Sequence, residues 1–102
     1  MKVVINRRYG GFGVSLAAAK RLVELGMTEL QEQIDAYGGS SYDSFSYGIE
    51  RHDPRLIQVI EEMGDAANGQ SAKLKIVDID MEYEIEDYDG MEKVKVLGYE
   101  YY

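Results

Sequence analysis

Cysteine is absent from the 102 residues, and histidine occurs once, at His52. Without thiols, disulfide cross-links and thiolate metal sites are excluded, and a lone histidine leaves no imidazole pair to hold a metal. No apolar run approaches the roughly 20 residues needed to cross a bilayer. The N-terminal MKVVINRR lacks the apolar core of a signal peptide. These absences lead to the expectation of a single domain over 1–102 in the cytoplasm, with no cofactor, no metal and no membrane contact, and just large enough to bury a core unaided.

Basic side chains are scarce where acids are abundant. Residues 1–51 hold six basic and six acidic side chains, which cancel, whereas residues 52–102 hold five basic and thirteen acidic ones and so carry the whole net charge of -8. From Asp78 to Glu92 there are eight acids and no base. Direct binding of this half to a phosphate backbone is disfavoured, because such binding rests on Lys and Arg neutralising phosphates. A basic protein partner is favoured, since opposite fields speed encounter. Net negative charge also serves solubility alone.

What is there, above all, is the alternation in Ile79 to Asp89, IDMEYEIEDYD. Ile79, Met81, Tyr83 and Ile85 fall on one side, and Asp80, Glu82, Glu84 and Glu86 on the other, the period of a strand with one buried and one wet face. The carboxylates of the wet face stand about 6.8 Å apart, twice the rise per residue. Asp89-Gly90 is a strong signal for a two-residue hairpin. With that turn, Ile85 faces Val94 and Tyr83 faces Val96, while Glu86 faces Lys93 and Glu84 faces Lys95, so the cross-strand partners match in character. Half of the acidic row is then neutralised within the sheet. The carboxylates left for a partner are Asp78, Asp80 and Glu82, with Asp87, Asp89 and Glu92 around the turn. Nine tyrosines add aromatic contact area, and Tyr99, Tyr101 and Tyr102 at the end of the chain are candidate anchors for the same partner.

Elsewhere, Lys2–Arg7 and Ala72–Ile79 read as strands. Ser15 caps a helix that carries Leu16, Ala19, Leu22 and Val23 and stops at Gly26. Thr28 and Gln31 form a capping box for a second helix, and Asp53-Pro54 starts a third with Leu56, Val59, Ile60 and Met63 as its apolar stripe. That third helix ends at Asn68-Gly69 or, earlier, at Gly64. Phe45–Ile49 alternates weakly as a short strand. The order β-α-α-(β)-α-β-β-β implies an α+β fold, a mainly antiparallel sheet with about three helices packed on one face and charged side chains on the other.

Two segments invite a chemical role. Tyr9-Gly10-Gly11-Phe12-Gly13 before a helix is a candidate anion cradle, with Arg7, Arg8, Gly10, Gly11, Gly13 and Ser15 as its residues, suited to a phosphorylated ligand or nucleotide signal. It lacks the third glycine of GxGxxG and the lysine of a phosphate loop, and the glycines also suit a plain tight turn. His52 beside Asp53 is a candidate acid–base pair for a small nuclease-like enzyme. The helix-cap role of Asp53 and an ion-pair or partner-contact role for Arg51 and Arg55 account for the same residues without catalysis. No DxDxDG loop is present, and carboxylates along one strand face diverge, so cation binding is not expected.

The segments MKVVIN-RRYGGFGVS, RHDPRLIQVIEEMG, ANGQSAKLKIVDI and YEIEDYDGMEKV resemble a family of small proteins found in phages and prophages of Gram-positive and other bacteria. They cover roughly two thirds of the chain. The chain departs from the pattern between Leu30 and Ser46 and at its tyrosine-rich end. Some small acidic proteins of such mobile elements are similar in character to anti-CRISPR proteins. The resemblance implies a non-enzymatic inhibitor that evades host defence by binding Cas9 or its guide-RNA complex in the bacterial cytoplasm. Its carboxylates would enter a positively charged nucleic-acid channel and block loading or cleavage.

Overall fold

The structure, a computed structural model, describes residues 1–37, 43–46, 48–79, 83–96 and 100–101. Among these, the chain runs β1 (Lys2–Asn6), α1 (Leu16–Glu24), α2 (Leu30–Tyr37), α3 (Pro54–Met63), a 3-10 turn (Gly64–Ala67), β2 (Leu74–Asp78), β3 (Tyr83–Tyr88), β4 (Met91–Val96) and β5 (Glu100–Tyr101). The fold is α+β with antiparallel strands. The strands form two small sheets, β1-β2 and β3-β4-β5.

The β1-β2 sheet lies in the middle. β1 and β2 pair from Lys2 opposite Asp78 to Asn6 opposite Leu74. Because strand side chains alternate, Val4, Leu74 and Ile76 point to a core shared with Ala18, Leu22, Leu30, Leu56 and Val59 of the helices. Val3, Ile5, Val77 and Ile79 point the other way and meet Val94, Tyr83 and Ile85 of the hairpin. Three helices therefore cover one face of β1-β2, and the β3-β4 hairpin covers the other. Each fully buried valine or isoleucine in these two interfaces contributes about 1.5–3 kcal/mol of apolar burial.

The helix starts follow their side chains. Ser15 Oγ accepts from the Ala18 N–H at 3.2 Å and donates to the Ala66 carbonyl at 2.7 Å. Asp53 Oδ1 accepts from the Arg55 N–H at 2.9 Å, with Pro54 opening α3. The Arg55 guanidinium also donates to both Asp53 oxygens, and this hydrogen bonding holds the Asp53 carboxyl below its usual range. α3 ends at Gly64, the earlier of its two expected stops, and continues as the 3-10 turn. α2 forms without the expected box: the Gln31 amide reaches forward to Asp35 Oδ1 at 2.9 Å. Phe45–Ile49 does not form a strand among the described residues; Phe45 makes an isolated antiparallel bridge to Val14, whose other neighbour is Asn68.

The hairpin register is the one its side chains require: Tyr83 opposite Val96, Glu84 opposite Lys95, Ile85 opposite Val94, Glu86 opposite Lys93 and Tyr88 opposite Met91. Asp89 (φ 51°) and Gly90 (φ 88°) both have positive φ, as a type I′ turn demands.

Candidate functional site

The glycine-rich loop and the hairpin turn, far apart in sequence, are locked together. The Gly10 N–H donates to the Asp89 carbonyl at 2.9 Å. A Cβ on Gly90 would fall within 2.7 Å of Gly10 C and closer still to the Gly11 nitrogen, so only glycine permits this approach. Asn6, fully buried, ties the same place together: its Nδ2 donates to the carbonyls of Arg8 and Gly90, and its Oδ1 accepts from the Lys73 N–H. All the polar atoms of its side chain are engaged, as a buried amide requires.

Beside Asn6 lies a buried ion pair. Glu92 is 2% exposed. Arg51 Nη1 and Nη2 donate to its Oε1 and Oε2, the second at 2.7 Å, and the Asn6 N–H donates to Oε1 at 2.8 Å. Arg7 Nη1 donates to the Glu92 carbonyl at 2.6 Å. The Arg51 guanidinium also stacks on Phe12, 3.7 Å from the ring centre. These groups serve the edge of β1 that β2 leaves bare: the Val4 N–H donates to the Arg51 carbonyl and the Asn6 N–H to Glu92. A bare strand edge otherwise presents unpaired amides.

This arrangement corrects one expectation. Glu92 does not stand among the surface acids around the turn; it is internal and paired. Glu92 shares the inner face of Val94, but so does its cross-strand partner Asp87, which is exposed; what holds Glu92 inside is Arg51 and the Asn6 N–H.

The remaining acidic candidates divide. Asp87 and Asp89 are exposed, and Asp87 Oδ1 accepts from the Gly90 N–H at 2.7 Å. Asp78 is exposed at the far end of β2, 3.3 Å from the Met1 amine. Asp80 and Glu82 lie outside the described residues, as do Tyr99 and Tyr102. Tyr101 is described only through its backbone, paired with Lys95. On the outer face, the ion pair within reach is diagonal, Glu86 to Lys95 at 3.7 Å, not directly across the strands.

The anion cradle is already filled by the chain. Asp43 Oδ1 accepts from the Leu16 N–H at 2.6 Å at the start of α1, and Ser15 is buried as its cap. Gly13 is closed over by Ser44 and Gly69, and its carbonyl accepts from the Gly69 N–H. Arg7 reaches Glu92, Arg8 is exposed, and Gly10 and Gly11 meet the hairpin turn. These residues build the fold's junction rather than an open phosphate site. His52 is half exposed, with Nδ1 3.1 Å from the Tyr83 hydroxyl and Nε2 3.3 Å from Glu50 Oε2. Arg51 and Arg55 are both in ion pairs.

What the junction exposes was not legible from either segment alone. Tyr9 and Tyr88 are 57% and 73% exposed, and their rings meet edge to face with centroids 6.4 Å apart. With Met91, Glu86, Asp87 and Lys93 they line a shallow cleft of about 370 Å³. No family model, curated protein or solved structure matches this chain. The site is therefore judged on its own chemistry: exposed aromatic rings beside carboxylates. Among the described residues, no group of three or more metal-binding side chains converges, and no helix is long and apolar enough to cross a membrane.

Proposed function

We propose that this chain acts by binding, docking on a basic protein through the hairpin and the loop beside it, and that the partner is a Cas9-type effector whose guide loading or DNA cleavage it blocks in a bacterial host. The single observation that carries the binding reading is the exposed Tyr9–Tyr88 pair beside Glu86, Asp87 and Asp89, where Tyr9 of the neutral first half meets the second half, which holds the whole net charge of -8. Aromatic anchors within a field of one sign are the means by which a small protein finds and holds an oppositely charged surface. Effectors of the Cas9 type hold guide and target in positively charged channels, which offer such a surface. The choice of effector rests on the resemblance to small mobile-element proteins.

The test is direct. At low salt, stoichiometric protein added to the purified effector should reduce guide loading or target cleavage, and rising salt should weaken the effect as exposed charges are screened. Unchanged loading and cleavage at stoichiometric protein and low salt overturns this reading.

A further inference from the structure

We infer that the cleft between Tyr9 and Tyr88 receives an arginine side chain presented by the basic protein partner, an inference that rests on the binding reading above and names its chemistry. The two rings are the exposed ends of two segments that are otherwise tightly fixed: Tyr9 precedes the loop held by the Gly10 N–H···O=C Asp89 bond, and Tyr88 precedes the positive-φ turn. Large aromatic rings left this open beside a cleft mark an interaction surface. The cleft's charged lining is Glu86, Asp87 and Lys93, one net negative charge, and the exposed Asp89 follows Tyr88 in the turn.

That combination selects among occupants. Phosphate-bearing nucleic acid is repelled by the carboxylates. A second copy of the chain brings a net charge of -8 to a surface of the same sign. A cation fits, and a planar one fits best: a guanidinium lies flat on an aromatic face while its fork donates to a carboxylate, whereas an ammonium is a compact, strongly hydrated point charge. The apolar stem of an arginine can lie along Met91. The molecule already displays this chemistry internally, where the Arg51 guanidinium stacks on Phe12 and grips Glu92 with two nitrogens.

Fluorescence anisotropy of the full chain with labelled Gly/Ser peptides carrying either three arginines or three lysines tests the inference. The arginine peptide should bind tighter than the lysine peptide. Tyr88→Ala and Tyr9→Ala should each weaken it by about five-fold, the weight of one exposed cation–π contact. Tyr88→Phe, which keeps the ring, and Glu32→Gln, which removes an exposed charge on α2, should stay within about two-fold. Tyr88 is largely exposed, so its loss leaves the core intact, and circular dichroism checks this. Equal binding of the two peptides, no binding of either, or binding unaffected by Tyr88→Ala overturns the inference. The effector assay separates the two levels. If the wild type and Tyr88→Ala inhibit equally, the cleft is refuted and the binding reading stands. If the wild type leaves the effector untouched while the arginine preference and tyrosine dependence hold, the effector is refuted and the cleft stands.

Discussion

Glu86 and Glu92 sit on the two faces of one hairpin and have opposite fates. Glu86 is exposed and lies 3.7 Å from Lys95, whereas Glu92 is 2% exposed, gripped by Arg51 and bonded to the Asn6 N–H. The outer carboxylate keeps its water and leaves the sheet's stability almost unaffected. The inner one has lost its water, and its partners must replace that hydration in full. Acidity alone therefore does not mark a partner surface in this protein, and neither does parity, since Asp87 stands opposite Glu92 on the same face and is exposed.

The largest effect expected from breaking this contrast is at Glu92. Glu92→Ala strips Arg51 of its carboxylate and leaves the Asn6 N–H unsatisfied, and should cost about 3 kcal/mol in urea unfolding. Replacing both members, Arg51→Met with Glu92→Leu, should recover part of that loss, because no charge is stranded while the buried Asn6 N–H still lacks its acceptor. A single variant as stable as the wild type would show that the pair is not a structural tie.

Next in size is Gly90→Ala. The turn needs positive φ there and the Gly10–Gly11 backbone leaves no room for a methyl group, so the change should cost more than about 1 kcal/mol. It should also separate Tyr9 from Tyr88, visible as loss of ring contacts between them in NMR spectra.

Asp53 supplies an intermediate case, a partly buried carboxylate whose arginine lies two residues away. Asp53→Ala should cost about 1 kcal/mol as a lost helix cap. Its pKa is lowered in the folded state, chiefly by the side-chain hydrogen bonds from Arg55, so its contribution is complete above the unfolded value and is lost as pH falls through the folded one. The difference between the wild type and Asp53→Ala should therefore be full at neutral pH and shrink below about pH 4. A difference that grew on acidification would contradict the assignment.

The smallest effect should come from Glu86→Gln. Unfolding should change by less than about 0.5 kcal/mol, as at most exposed sites, while binding of a basic peptide should weaken at low salt and recover its wild-type ratio as salt screens the charge.

Much of the local structure was legible. The hairpin followed from alternation plus Asp89-Gly90, and α1 and α3 followed from Ser15 and Asp53-Pro54, because each depends on residues within a few positions. The partition of strands into two sheets was not legible, since β2 and β3 both alternate and nothing in either says that the hairpin folds over β1-β2. The candidate site was read in part. Asp87 and Asp89 were recognised and are exposed. Glu92 is buried against expectation because Arg51, distant in sequence, grips it, while Asp87 on the same face stays exposed. The Tyr9–Tyr88 cleft was missed because it exists only where the glycine loop meets the turn. The loop reads in sequence as an anion cradle, yet Asp43, from beyond α2, supplies the carboxylate at the start of α1.

By itself, the sequence determined the antiparallel register, the turn and two of the helix starts, and it placed the negative charge in the second half of the chain. These features are set by period-two patterning and by side chains bonding to backbone within a turn. Only the tertiary structure decided which acids remain at the surface and which aromatic rings meet. Burial of Glu92 depends on Arg51, 41 residues away, and the cleft depends on a glycine contact between the first loop and the hairpin turn. Such meetings are fixed by how the layers pack, because a charge leaves water only where the fold brings it a partner.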